Sequence, residues 1–340
     1  MKIIHTVAVA SLLGTLALAN PLADTAKSFG IEAIPESNAE LMKIINSGDD
    51  PITDIKVELG KMLYFDPRLS RSNLISCNTC HNLALGGVDL IPGAIGHKWT
   101  MNPSHLNSPT VYNAVLTAVQ FWDGRSPHLE DQAQGPIEAG PEMAAPRELV
   151  EQRINSIPKY VNMFKRAYGS DVEITFERIA SVIGVFERTL VTPSRFDDFL
   201  NGHDEALTDG EKKGLELFLD KGCASCHNGM AVGGTMQPFQ VVEKYSFVEI
   251  GGFEGDENGM VKTPTLRNIT ETAPYFHNGA IWELTEAIKE MGSTQLGISI
   301  NDKEAESIAE FLGSLEGRKP QVVYPVLPPS TNETAKPTFD

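Results

Sequence analysis

The sequence predicts a mainly α-helical chain of two similar domains with long loops, and three observations predict it. One pattern occurs twice, as Ser76-Cys77-Asn78-Thr79-Cys80-His81 and Gly222-Cys223-Ala224-Ser225-Cys226-His227, and the two copies use all 4 cysteines of the 340 residues. A run with apolar residues at helical spacing precedes each copy. A second such run closes each half.

Taken in order, Ile3 to Leu18 is mostly apolar, follows Lys2 and leads to the small-x-small pattern Ala17-Leu18-Ala19, which predicts a signal peptide over residues 1–19. The run is short for a bilayer span and is interrupted by His5 and Thr6, so no stable membrane insertion is expected. An amphipathic piece lies around Glu40 to Ile45. From Ile55 to Phe65, Val57, Leu59, Met62 and Leu63 recur at helical spacing until Asp66-Pro67 stops them. The second half repeats this: Thr208 with Glu211 forms a capping box, and Leu215, Leu217 and Phe218 give an apolar face before the second motif. Gly60 with Tyr64-Phe65, and Gly214 with Phe218, read as one element used twice. The closing helices carry Ile179, Ala180, Ile183, Phe186 and Leu190 in one half and Ile308, Ala309, Leu312 and Leu315 in the other, the latter begun by an Asn301–Glu304 capping box. Between its helices the first half holds extra material, Leu83 to Glu173, rich in Gly, Pro and Asn. Long irregular segments of this kind are often functional.

C-x-x-C-H is the attachment motif of c-type haem: each thiol adds to a haem vinyl group and the histidine ligates iron. Two matches that exhaust the cysteines leave little room for a zinc half-site or a dithiol redox pair. The fold class is therefore two cytochrome c-like domains, residues 20–195 and 196–318, each with one covalently attached haem c, followed by an extended tail, 319–340, to which no chemistry is assigned. Haem attachment to thiols belongs to the periplasm or an equivalent compartment, which suits export. The formal charge of -17 disfavours nucleic acid and anionic membrane surfaces as partners, and it permits steering of a basic redox partner as well as serving solubility.

A second axial ligand decides what each haem does. Methionine opposite histidine raises the potential and suits electron transfer, whereas an open or weakly closed position permits chemistry. His97, behind the glycine-rich loop of Gly86-Gly87, Gly93 and Gly96, is the candidate for a removable distal ligand of the first iron, with His105 next. For the second iron, methionines 230, 236, 260 and 291 are available, and Met291, well after the motif and before the closing helix, is the best placed.

The chain resembles the bacterial di-haem cytochrome c peroxidases over nearly its whole mature length. The resemblance is carried by Cys77 to His81, Gly86-Gly87-Val88-Asp89, Ile95-Gly96-His97, Asn107-Ser108-Pro109-Thr110, Phe121-Trp122-Asp123-Gly124-Arg125, Gly222 to His227, Thr272 to His277 and Met291-Gly292-Ser293. It implies a periplasmic homodimer whose N-terminal haem reduces hydrogen peroxide and whose C-terminal, high-potential haem takes electrons from a small cytochrome c or cupredoxin. It further implies His81 and His97 as ligands of the first iron, with His97 leaving on activation, and His227 and Met291 as ligands of the second. Glu142 is implied as acid–base catalyst, Gln132 as the amide that orients peroxide, Trp122 as an electron bridge, and Asn107, Thr272 and Pro274 as calcium ligands at the domain junction. His277, next to the calcium segment, is a secondary candidate for coupling the haems. Two other readings remain at this point. A di-haem electron carrier would keep both irons six-coordinate; a relative that oxidises a protein side chain, as the branch acting on methylamine dehydrogenase does, carries tyrosine where this chain has Met291.

Overall fold

The computed structural model describes residues 20–46, 49–104 and 106–339. The expected signal peptide and His105 lie outside them. Among the described residues no helix is long and apolar enough to cross a membrane.

Each half is built on a crossing of two helices. In the first, helix Asp54–Tyr64 packs on helix Phe176–Glu187; in the second, helix Asp209–Asp220 packs on helix Asp302–Gly313. Both crossings need a glycine. A Cβ on Gly60 would stand 2.0 Å from the Val182 carbonyl oxygen, and one on Gly214 would stand 2.0 Å from that of Ser307. One turn on from each glycine, Tyr64 meets Phe186 edge-on at 5.3 Å and Phe218 meets Phe311 at 5.3 Å. The expected capping boxes of Thr208 with Glu211 and Asn301 with Glu304 both form, satisfying amides that the helix starts leave free.

The duplication extends to the loops that join the halves. Asn113 and Asn268, both in the left-handed region and each followed by a 3₁₀ turn, donate their side-chain amides to the one hydroxyl of Thr192, at 2.7 and 2.9 Å. Six residues before each, the backbones cross: the Asn107 amide donates to the His277 carbonyl at 2.7 Å, and the Lys262 amide donates to the Trp122 carbonyl at 2.8 Å. Asn107 pairs with Lys262, and Trp122 with His277, as equivalents in a pseudo-twofold junction.

Two features depart from a simple division at residue 195. The helix Pro21–Ser28 and Ile31 belong to the second core, with Ala23 and Ala26 packed among Phe196, Phe199 and Leu215. The C-terminal tail returns the other way, over the first domain. Val322 and Leu327 pack on the first core, and the fully buried Arg153 donates to the carbonyls of Ala335 and Lys336 as well as to those of Arg68, Ser70 and Arg71. The segment 83–173 is also more regular than its composition suggests: it holds helices Arg147–Asn155 and Pro158–Tyr168, which seat Val150, Ile154, Tyr160 and Phe164 in the core.

Candidate haem and peroxide sites

The first motif folds as a short helix, Cys77–Cys80, closed by a Ser76–Thr79 capping box, and the His81 amide completes the turn on the Cys77 carbonyl at 2.9 Å. His81 Nδ1 donates to the Pro109 carbonyl at 2.9 Å, which fixes the tautomer and leaves Nε2 with its lone pair. The Tyr64 hydroxyl holds the His81 carbonyl at 2.5 Å. Burial lowers the His81 imidazole's affinity for protons, against the pull of the Pro109 carbonyl, so the ring is neutral and able to ligate. Neither thiol is in a disulfide, and burial pushes Cys80 up to about 12.

A hairpin lies over this motif. Ile95 pairs with Met101, the Ile95 carbonyl is 3.9 Å from Cys80 Sγ, and the turn presents His97, 3 % exposed, with a buried Nδ1 that has no hydrogen-bond partner. Gly96 makes the approach possible, since a Cβ there would sit 2.0 Å from the Pro141 carbonyl oxygen. The neighbouring turn supplies Glu142, whose carbonyl accepts from the His97 amide at 2.7 Å. The Glu142 carboxyl is raised by burial, an effect the Arg125 guanidinium opposes, and its Oε1 faces the Asn102 amide at 3.5 Å. Arg125 is itself fixed, stacked 3.4 Å over the Phe121 ring and paired with Asp123 at 2.8 Å. His97 and Glu142 thus lie together beside Cys80. Gln132 is half-buried at the end of the turn Leu129–Gln132, and no hydrogen bond joins it to Glu142.

The second motif forms a 3₁₀ turn, Cys223–Ser225, with the His227 amide on the Cys223 carbonyl at 3.0 Å. Burial holds His227 down at about 4, opposed by the nearby carbonyls of Val232 and Pro264. Cys223, Cys226, His227 and Met291 line one cleft. The other methionines are elsewhere: Met230 packs with Ile34, Ile45 and Val191, Met236 lies on Gly124, and Met260 sits in the strand Met260–Lys262. Trp122 and His277 line the same cleft, edge-on at 6.4 Å. The Trp122 indole donates to the Asn107 carbonyl at 2.9 Å. His277 is boxed by Phe239, Phe253 and Tyr245 at 5.3, 5.2 and 5.6 Å, its Nε2 has no partner, and burial lowers it to about 4.

The residues present fit two covalent haems: each pair of free, partly buried thiols stands beside a half-buried imidazole whose proton affinity burial lowers. Calcium fits by donor type only. Asn107, Thr272 and Pro274 line the cleft, and because Asn107 Nδ2 donates to the Ile91 carbonyl at 2.9 Å, Oδ1 remains available. No group of three or more His, Cys, Asp or Glu could hold a metal among the described residues, so a cation here would depend on neutral oxygens and water.

The family description "Di-haem cytochrome c peroxidase" matches residues 54–205, and "Cytochrome c" matches residues 211–316. The chain is 44% identical to the cytochrome c551 peroxidase of Pseudomonas aeruginosa over 95% of its own length and 94% of that protein. The chain belongs to the di-haem cytochrome c peroxidases. It is likewise 45% identical to the cytochrome c551 peroxidase of Nitrosomonas europaea, over 86% of this chain and 92% of that one. Among solved structures, a MauG-like protein associated with microbial copper homeostasis shares the fold with a TM-score of 0.68 at 23% identity, covering 79% of this chain and 91% of that chain.

Sequence reasoning assigned no role to Arg125, Asn102 or Lys262. Arg125 lies inside a segment already singled out, so its charge next to an expected acid was a usable signal. Asn102 and Lys262 are ordinary polar residues in loops, and only the fold brings them to the sites.

Proposed function

We propose that this di-haem cytochrome c peroxidase reduces hydrogen peroxide to water in the periplasm, taking two electrons and two protons per peroxide, with electrons entering from a small cytochrome c or cupredoxin at the second haem and passing to the first. The observation that carries this reading is the asymmetry of the two sites. A mobile-ligand candidate and a half-buried carboxyl, within the field of an arginine, lie on the Cys80 side of the first motif, whereas Met291 shares the cleft of the second.

When bound, haem supplies the redox centre and the Lewis acid for O–O cleavage. The chain's own residues do the rest. Glu142 takes a proton from the near oxygen of peroxide and returns it to the far one; its raised proton affinity suits both transfers, and such help is worth roughly 10²–10⁴ in rate. Gln132 orients peroxide. Arg125 keeps Glu142 from being trapped as the acid by burial alone. His97 closes the first site until electrons reach the second haem, with calcium at Asn107, Thr272 and Pro274 joining the two domains. Trp122 bridges the cleft, and His277, across from it, couples the two sides. The signal peptide over residues 1–19 and a homodimer belong to the same reading.

Peroxide turnover with a reduced small cytochrome c, measured before and after pre-reduction of the two-haem protein, tests it. Turnover in either state is expected. Absence in both, with both haems loaded, would leave an electron carrier.

A further inference from the structure

Lys262 takes no part in the proposed peroxide reduction. It ends the strand Met260–Lys262, is 7 % exposed, and lines the cleft with Cys226, His227, Trp122 and His277. Its ammonium makes no hydrogen bond and no ion pair with a described residue. The charge that bears on it most is Asp123, whose carboxylate is already paired with Arg125 at 2.8 Å. An unpaired buried ammonium is expensive, and burial lowers this one to about 8.

The pseudo-twofold junction gives the position a meaning. The Asn107 amide meets the His277 carbonyl as the Lys262 amide meets that of Trp122, so Lys262 stands where the first half has Asn107. One half presents an amide oxygen able to help hold a cation; the other presents a fixed cation. The charge of Lys262 also disfavours protonation of His81. A positive charge with no protein partner, in a cleft lined by haem-attaching thiols, is matched by the carboxylates that a haem carries on its edge.

We infer that Lys262 is the counter-ion of a haem carboxylate in the second site. The assignment rests on the second motif carrying a haem, which a pyridine haemochrome count of two haems per chain checks independently. Lys262→Gln and Lys262→Arg, each purified with both haems, are titrated spectroelectrochemically and examined by resonance Raman at the propionate-bending band. Loss of the cation favours ferric iron, so Lys262→Gln is expected to lower the second haem's potential and shift the band, whereas Lys262→Arg retains both near wild type. A two-haem Lys262→Gln with both unchanged overturns the assignment. So does a wild-type potential that moves with added chloride in a manner abolished by Lys262→Gln, because the ammonium then holds a free anion. Should Lys262→Gln fail to accumulate, the wild type decides: a propionate band bonded to an exchangeable ammonium shifts in D₂O, and one that does not shift overturns the inference.

Discussion

Glu142→Gln separates catalysis from structure at the first site. The substitution keeps the side chain's size and removes the group able to accept and return a proton. Little stability is at stake: among the described residues, the one side-chain hydrogen bond of Glu142 is the 3.5 Å contact from Asn102, at the long limit, worth less than about 1 kcal/mol. Its backbone carbonyl, which holds the His97 amide at 2.7 Å, is untouched. Loss of acid–base help should lower kcat by roughly 10²–10⁴, or about 3–5 kcal/mol of barrier. The assay is steady-state peroxide turnover with reduced cytochrome c, alongside absorption spectra of both haems and a urea midpoint. A large fall in kcat with unchanged spectra and midpoint is expected. A kcat within about threefold of wild type would remove Glu142 from the proton path, because that loss is far below what general acid–base catalysis contributes.

Four further outcomes follow from particular contacts. Met291→Ala should lower the second haem's potential sharply in a redox titration, and an unchanged potential would mean that another group faces His227. Gly214→Ala places a Cβ 2.0 Å from the Ser307 carbonyl oxygen and should destabilise the second domain by about 1–3 kcal/mol in denaturant unfolding; an unmoved midpoint would contradict the close crossing. Glu187 is buried with one oxygen unpartnered, and burial, with Glu130 adding repulsion, raises it from 4.5 to about 8. The native state keeps a proton there that the unfolded chain releases, so this group makes stability fall as pH rises through that window, and Glu187→Gln should stabilise more at pH 8 than at pH 5, by about 2–5 kcal/mol; equal effects at both pH values would show that the carboxyl titrates normally. Deleting residues 320–340 removes the Ala335 and Lys336 carbonyls from Arg153 and the Pro328 carbonyl from Arg68, and three charged hydrogen bonds at about 1.5–3 kcal/mol each should come off the first domain while the second domain's transition stays in place; coincident losses in both domains would contradict that division.

What the sequence made legible was local. Helix Asp302–Gly313 announces itself through the Asn301–Glu304 box and a 3.6-residue stripe, and the C-x-x-C-H spacing is fixed by bond chemistry. Helix Pro158–Tyr168 was harder to see because Pro158 reads as a break, although proline is at home in the first turn of a helix. The crossed chain ends were illegible for another reason. Ala23 and Ala26 are too small to advertise a core face, and the tail is held by Arg68 and Arg153 through backbone carbonyls, which every sequence possesses. Likewise the cleft draws Met291, Trp122, His277 and Lys262 from separate segments, and only their packing shows that they meet.

The duplication explains why one fold can hold two haems for different ends. What both halves share is the proximal hardware: the glycine crossing, the ring packed one turn on, the closed Cys-to-His turn, and the asparagines that meet on Thr192. What differs is confined to a few positions where the equivalents can be compared directly. Tyr64 carries a hydroxyl that holds the His81 carbonyl, whereas its counterpart Phe218 offers only a ring, 6.5 Å from that of His227. His277 stands where the first half has Trp122, and Lys262 where it has Asn107. The first half inserts the hairpin and turn that place His97 and Glu142 beside its motif. Each difference changes polarity or charge around an otherwise equal site. On the proposed function, that second layer of residues is what sets potential and access, so that similar folds hold two haems at different potentials and leave one of them able to open.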